Sequence, residues 1–364
     1  MSTLDTTPAT EDLPAAGRPK PKSQGGGFGR YLLVRFLLIF PTIFILVTLV
    51  FFLMRTTGDP ITAAQGGRLG PEALAELRAA AGFDRPIFVQ YVEYLGQLVT
   101  FNFGETITTN RPVVEVLTTY GPATFELVFY SLIVAFAVGI PLGLLTAYYR
   151  DKPQDAVFRV LAIYWYAVPV FFAGLILKLI FSVWLKWFPV AGRASVSAEL
   201  QIQTLPNKTG FYTIDALMSG NPEILLDVLS HAVLPAIALG LLTAGIFLRL
   251  VRTNVIGTLA TDYVDAARSR GVGELRLLRK HAYRPALIPI VTVIGLQIAL
   301  LLAGAILTET TFEWKGLGFI LVEFIESRDY VAVQGIVVLL AVIVAVTNFI
   351  VDIIAAFIDP RVRY

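Results

Sequence analysis

Residues 31–54, YLLVRFLLIFPTIFILVTLVFFLM, carry one charged side chain, Arg35, in an otherwise apolar run. At 1.5 Å per residue such a helix is about 36 Å long, enough to cross a hydrocarbon core of about 30 Å. Five further apolar runs follow, near 123–149, 157–187, 232–250, 285–308 and 333–357. A chain built this way is expected to be an all-α membrane protein with six transmembrane helices. Composition agrees: 56% of the 364 residues are hydrophobic, only 15% are charged, and the mean hydropathy is +0.71. Those values exclude an ordinary soluble domain.

Several function classes fall away at once. There is no cysteine, so neither a disulfide framework nor a thiolate metal site exists. His231 and His281 stand far apart and make no metal site by themselves. Neither GxxxxGK[ST] nor HExxH occurs, so the chain neither carries an ATP-hydrolysing P-loop nor resembles a zinc protease. No nucleophile, acid or metal constellation marks an intramembrane enzyme, and the site assignment is catalytic none, metal none. A net charge of +2, with the basic residues gathered in loops beside apolar runs, argues against nucleic acid as a partner. An ion-coupled secondary transporter is the alternative from another class. It would show internal repeats and paired charges at mid-membrane; no repeat is seen and intramembrane charges are sparse.

The polar segments set the orientation. Residues 1–29, rich in Pro, Thr, Ala, Gly and Lys, read as a disordered cytoplasmic tail. Arg30 and Arg35 at the first run, the 150–155 turn RDKPQD and the basic 251–284 loop all fall on one side, which the positive-inside rule makes cytoplasmic together with both termini. A sizeable extracytoplasmic loop, 55–122, follows the first span; within it Pro71 opens a helix that Gly82 stops. Tyr91, Tyr94 and Leu95 there form either an interfacial face or core. Gly139 and Gly143 lie four apart and permit close helix approach. Glu126 and Lys178 are ionisable groups at membrane depth, marking either a translocation path or buried pairs. The external loop at 188–230 contains an elaboration near 195–220.

Between the fourth and fifth runs the chain turns basic. Residues 249–284 hold eight Lys and Arg against three acids. Thr261 is placed to cap a short helix whose first turn holds Asp262 and Asp265, where the helix dipole favours acids. Arg268 and Arg270 close it, and Gly271 stands where a left-handed C′ residue belongs. A second helix is expected from 274 toward 284 with Leu275, Leu278 and Ala282 on one stripe, and Pro285 suits the first turn of the fifth span.

The string DYVDAARSRGVGELRLLRKHAYRPALIPIVTVIG resembles the cytoplasmic EAA loop of ABC importer permeases, in the version of the dipeptide and oligopeptide family, with Asp265 in the place of the glutamate. The resemblance recurs at RYLLVRFLLIFPTIFILVTLVFFLMRTTGDPI, at GFDRPIFVQYVEYLGQLVTFNFGETITTNRPVVEVL, at ETTFEWKGLG with RDYVAVQG, and at the closing IDPRVRY. Phe83 and Asn102 depart from the usual leucine and aspartate. The resemblance implies a type I ABC importer permease fold over 30–364 and an ATPase-coupling role for Tyr263, Asp265, Ala266, Ala267, Arg268, Arg270 and Gly271. It also implies a bacterial cytoplasmic-membrane location, and Trp314 with its neighbouring glycines shaping a turn near an outer gate. Implied partners are a second homologous permease, two ATPase subunits or one fused ATPase, an extracytoplasmic solute-binding protein and membrane lipid. This chain would bind no cofactor; ATP and Mg would sit on the ATPases. Peptides are the expected cargo, with nickel chelates, opines or glutathione as the alternatives carried by relatives.

Overall fold

The structure is a computed structural model that describes residues 28–56, 58–65, 67 and 69–358; the tail expected at 1–29 lies almost wholly outside them, as does the closing segment from 359. Helix α1, Phe28–Thr56, is the first span and runs unbroken through Pro41. Three short helices build the segment between the first two spans: α2, Pro60–Gln65, α3, Pro71–Ala80, and α4, Ile87–Val99. The stop at Gly82 is as expected. Its φ is +75°, and the Phe83 amide reaches back to the Arg78 carbonyl at 2.9 Å, closing α3 in a Schellman turn. Tyr91 and Tyr94, both half-buried, turn toward α1, the first through a 2.6 Å hydrogen bond to Thr48 and the second stacked on Phe51.

Helix α5, Val113–Tyr148, starts ten residues before the second apolar run. The third span, expected as one helix over 157–187, is a bent pair. Helix α6, Pro153–Ala167, meets α7, Val170–Leu177, at 103°, and α7 continues as a π-helical turn, Lys178–Trp184. The break has a local cause: Val168 precedes Pro169, whose ring disfavours helical φ/ψ for it, and Val168 is extended at ψ 126°. The 195–220 elaboration folds as α8, Val196–Gln203, and α9, Tyr212–Met218. Ala198, Ile202 and Ala216 pack there on Ile224 and Val228, forming a small separate core.

Helix α10, Pro222–Leu259, exceeds its apolar run at both ends. Asn221 accepts a hydrogen bond from the Glu223 amide at 2.9 Å and Pro222 fills N1, a start signal lying ten residues before the apolar run. At 38 residues the helix is about 57 Å long, well over the hydrocarbon thickness. The chain then turns through α11, Asp262–Ser269, one helical turn α12, Glu274–Arg276, and a π-helical turn, Leu277–Ala282. Helix α13, Tyr283–Phe312, α14, Leu317–Glu326, and α15, Tyr330–Ile358, complete the described fold. Among the described residues five helices are long and apolar enough to cross a membrane, six if the bent pair counts as one span.

Helices α5 and α10 form the centre. The expected close approach is real: a Cβ on Gly139 would fall 2.7 Å from the Ala244 carbonyl, and one on Gly143 2.7 Å from Val251. Leu127, Leu239, Leu301 and Trp314 fill the core away from the basic loop, and Phe247, Val251, Leu278 and Ile290 fill it toward that loop. Helix α1 is peripheral and leans on α15, where Arg35 pairs with Asp352 at 3.3 Å.

Candidate functional site

The basic segment folds as an elbow fixed to α10 and α13. Val264 is the one fully buried side chain of α11, and Leu277, Leu278 and Ala282 are buried behind it. The Tyr263 hydroxyl donates to the His281 carbonyl at 3.2 Å, tying α11 to the π turn. The C-terminus of α11 is a complete Schellman motif. The Gly271 amide donates to Arg268 O at 2.9 Å, the Val272 amide to Ala267 O at 3.3 Å, and Gly271 has φ +80°. Arg268 is held by Asp265 and, at 2.7 Å, by Glu274 across the turn, and the Glu274 bond raises its pKa. Asp262, Asp265, Ala266 and Ser269, spaced i, i+3, i+4 and i+7, therefore share one exposed face, with Arg270 exposed beside it and Ala267 half-buried.

Two expectations are corrected here. Thr261 sits at the N-cap position of α11, but its hydroxyl donates back to Thr258 O at 2.6 Å instead of capping the helix. The stripe predicted for the second helix also shifts. The wider π turn brings Leu277 inward beside Leu278 and Ala282, while Leu275 is exposed.

One contact that the sequence did not reveal locks the elbow to the bundle. Arg252, beyond the fourth apolar run but still in α10, forks onto Asp155 at 2.9 and 2.8 Å. Asp155 is almost fully buried at the start of α6, so α6 and α10 are clamped just before the chain enters the elbow. The pair is 97 residues apart in sequence, and no local periodicity connects them.

The second cluster lies at the opposite ends of the helices. Glu126 is buried, and its partner is Arg193 of the 188–230 loop at 2.5 Å; its other oxygen accepts the Thr213 amide at 2.8 Å. The Arg193 guanidinium also donates to Gly210 O at 3.0 Å and lies 3.7 Å from the centre of the Tyr212 ring. Burial pushes the Tyr212 phenol up to about 12, so it stays protonated and donates to Glu199 at 2.9 Å. Lys178, half-buried, bonds the Thr311 carbonyl at 3.0 Å. The two ionisable residues singled out in the sequence thus have different partners, and Arg193 is the one that was missed.

Glu309 completes this cluster. It is fully buried at the end of α13, takes the Thr124 hydroxyl at 2.6 Å on one oxygen and the Phe319 amide at 2.9 Å on the other. Thr124 in turn accepts the Leu317 amide at 2.8 Å, and the Trp314 indole donates to Ala123 O at 2.9 Å. A Cβ on Gly316 would fall 2.5 Å from the Glu309 carboxylate, so only glycine admits the turn around Trp314. Replacing Thr124 with valine keeps the shape but removes one of the two hydrogen bonds to Glu309 and leaves the Leu317 amide without its partner. A loss of about 2–3 kcal/mol in unfolding free energy is expected, read by chemical denaturation in detergent.

Comparison with known proteins follows the same span. The family described as "Binding-protein-dependent transport system inner membrane component" matches residues 139–364, and its N-terminal counterpart matches 28–128. A di/tripeptide transport system permease of Pseudomonas aeruginosa (strain UCBPP-PA14) is 39% identical over 329 residues, 90% of this chain and 96% of that protein. A dipeptide transport system permease of Escherichia coli (strain K12) is 37% identical over 337 residues, covering 92% and 99%. A glutathione transport system permease of Salmonella choleraesuis (strain SC-B67) is 32% identical over 335 residues, also covering 92% and 99%. Among solved structures, the inward-facing MetNI methionine ABC transporter shares the fold, at 15% identity and a TM-score of 0.50 over 67% of this chain and 96% of that one. The chain belongs to the binding-protein-dependent transport inner-membrane family and is a permease subunit of an ABC importer with the type I fold.

Proposed function

We propose that this permease carries short peptides across the bacterial cytoplasmic membrane, driven by ATPase subunits that seat on the exposed face of α11. The carrying observation is a match to dipeptide permeases over nine-tenths of the chain, where the glutathione relative is less similar. The elbow supplies the mechanical part. Small Ala266 lies between Asp262, Asp265 and Ser269 on a face that the chain itself leaves open. Val264, Tyr263 and the Schellman turn fix that face to α10 and α13, so a partner moving α11 moves the spans. Charged groups at its rim, Asp265, Arg268 and Arg270, set orientation more than affinity.

ATP and Mg would be held by those ATPase partners, and this chain would bind neither. A second homologous permease completes the pore, and a solute-binding protein delivers peptide to the α8–α9 side. Both termini and the elbow face the cytoplasm, as the basic 150–152 turn and 251–284 loop require. Because the chain has no cysteine, a single Ser269→Cys variant reports orientation cleanly. Labelling by an impermeant maleimide only after the membrane is opened is expected; labelling of intact cells would reverse the topology.

The deciding experiment is purification from the native membrane in mild detergent, then reconstitution with what accompanies it. Recovery of a second multi-span protein and ATP-hydrolysing subunits, with ATP-dependent dipeptide uptake, is the expected result. Uptake driven by an ion gradient with the chain alone would overturn it in favour of a secondary transporter.

A further inference from the structure

Beside the Asp155–Arg252 clamp, between α6 and α10, lies a groove that neither the elbow nor the outer cluster uses. It encloses about 290 Å³ and is lined by Arg159, Ile163 and Tyr166 on α6 and by Ile246, Arg249 and Arg252 on α10. The helices touch at its floor, where a Cβ on Gly245 would stand 2.8 Å from the Ala162 carbonyl.

Its charge is unbalanced. Arg252 is committed to Asp155, and Arg159 rests 3.6 Å from that same carboxylate with its side chain half-exposed. Arg249 is exposed and makes no hydrogen bond or ion pair among the described residues. The nearby Asp151 is taken by Arg150 at 3.2 Å. Three guanidinium groups thus face one carboxylate, and two positive charges remain at the mouth.

The rest of the lining is apolar and points deeper. Arg159, Ile163 and Tyr166 follow one stripe of α6 away from the 150–152 turn, and Tyr166 lies just before the bend at Val168. Arg159 is six residues into α6, about 9 Å along its axis from the basic turn, near the end of the span. A cationic rim above an apolar trough matches one class of molecule, a diacyl phosphate diester whose headgroup carries no cation of its own. Basic pockets between spans on the side of the basic loops are suited to anionic lipid headgroups.

We propose that this groove holds one anionic phospholipid of the leaflet on the elbow side, its phosphate on Arg159 and Arg249 and an acyl chain along Ile163 and Tyr166. The headgroup then sits one helical turn from Asp155 and adds negative charge beside the clamp that joins α6 to the elbow. A zwitterionic lipid fills the same trough, but its headgroup cation offsets its phosphate, so it brings no net negative charge to the rim. Inorganic phosphate meets the charges but leaves the trough empty.

The test counts lipids on the full-length chain with its co-purified subunits. The delipidated complex is titrated with phosphatidylglycerol or with phosphatidylcholine of the same acyl chains, and retained lipids are read by native mass spectrometry. The parent is expected to keep one phosphatidylglycerol that Arg159→Gln and Arg249→Gln each hold roughly fivefold more weakly, with phosphatidylcholine held equally weakly by all three. Arg252 is left intact so that the clamp survives, and thermal melts matching the parent establish that it has. Equal retention of phosphatidylglycerol by parent and variants would overturn the proposal. So would displacement of the lipid by millimolar inorganic phosphate, which would mean a free-anion site. Cross-linking of an Ile163→Cys variant to the second permease in the assembled complex would also overturn it, because a protein surface would then fill the groove.

Discussion

Valine at position 271 is expected to cut peptide uptake by about tenfold or more while the ATPase subunits still hydrolyse ATP. Gly271 has φ +80°, a region that a β-branched residue avoids. No atom lies within 4 Å of an added Cβ, so the effect is not a clash but backbone strain of roughly 1–2 kcal/mol. That strain falls on the turn that ends α11. It is relieved by abandoning the Schellman bonds from Gly271 and Val272, which frees the exposed face to rotate relative to Val264. A loss of about 1.4 kcal/mol from the seated arrangement already corresponds to tenfold. Asparagine, which tolerates left-handed φ, should retain most uptake, and alanine should fall between. Uptake assays on reconstituted vesicles give the order; wild-type transport with valine would show that the turn does not set the position of α11.

The largest effect on stability is expected from Arg193→Ala. Glu126 is 6% exposed and Arg193 8%, so removing the cation leaves a carboxylate buried without its counter-charge. Breaking a buried pair from one side costs about 3–5 kcal/mol. The Gly210 carbonyl and the Tyr212 ring lose their partner as well. Replacing both members with leucine should recover part of the loss and not all. The stranded charge is gone, but the Thr213 amide and the Gly210 carbonyl still lack partners at about 1–3 kcal/mol each. Denaturant unfolding of the two variants in detergent measures the ordering. A double variant less stable than Arg193→Ala would contradict it.

What could be read from the sequence divides along physical lines. The spans, the stop at Gly82, the Gly139–Gly143 approach and the left-handed Gly271 depend on signals within a few residues, and these were legible. So were Asp262 and Asp265 in the first turn of α11. Pairings across the fold were not legible: Arg193 meets Glu126 over 67 positions and Arg252 meets Asp155 over 97. Glu309 stood inside a recognised motif, but its role is visible only once Thr124 and Phe319 are seen around it. The bend at Val168 was locally encoded in Val-Pro, yet an apolar run reads the same straight or bent. The π turn at Leu277–Ala282 follows from packing against α10, which overrides the 3.6-residue stripe.

Helix α10 joins these two sets of contacts in a single rod. The cap on its outer end rests on Ile224 and Val228, and its inner end carries Arg252 and the elbow. A rod about 57 Å long that tilts by about 10° around its middle displaces each end by about 5 Å, in opposite directions. Close contacts near that middle are with Ser131, whose carbonyl would lie 2.7 Å from a Cβ on Gly240, with Gly139 at Ala244, and with Ala162 at Gly245. The backbones lie this close because glycine presents no side chain of its own, with Val134 packed against Gly240 beside the Ser131 carbonyl. A small rotation at that fulcrum therefore moves the outer cap and the inner elbow together, and neither end can be displaced without work being done on the other.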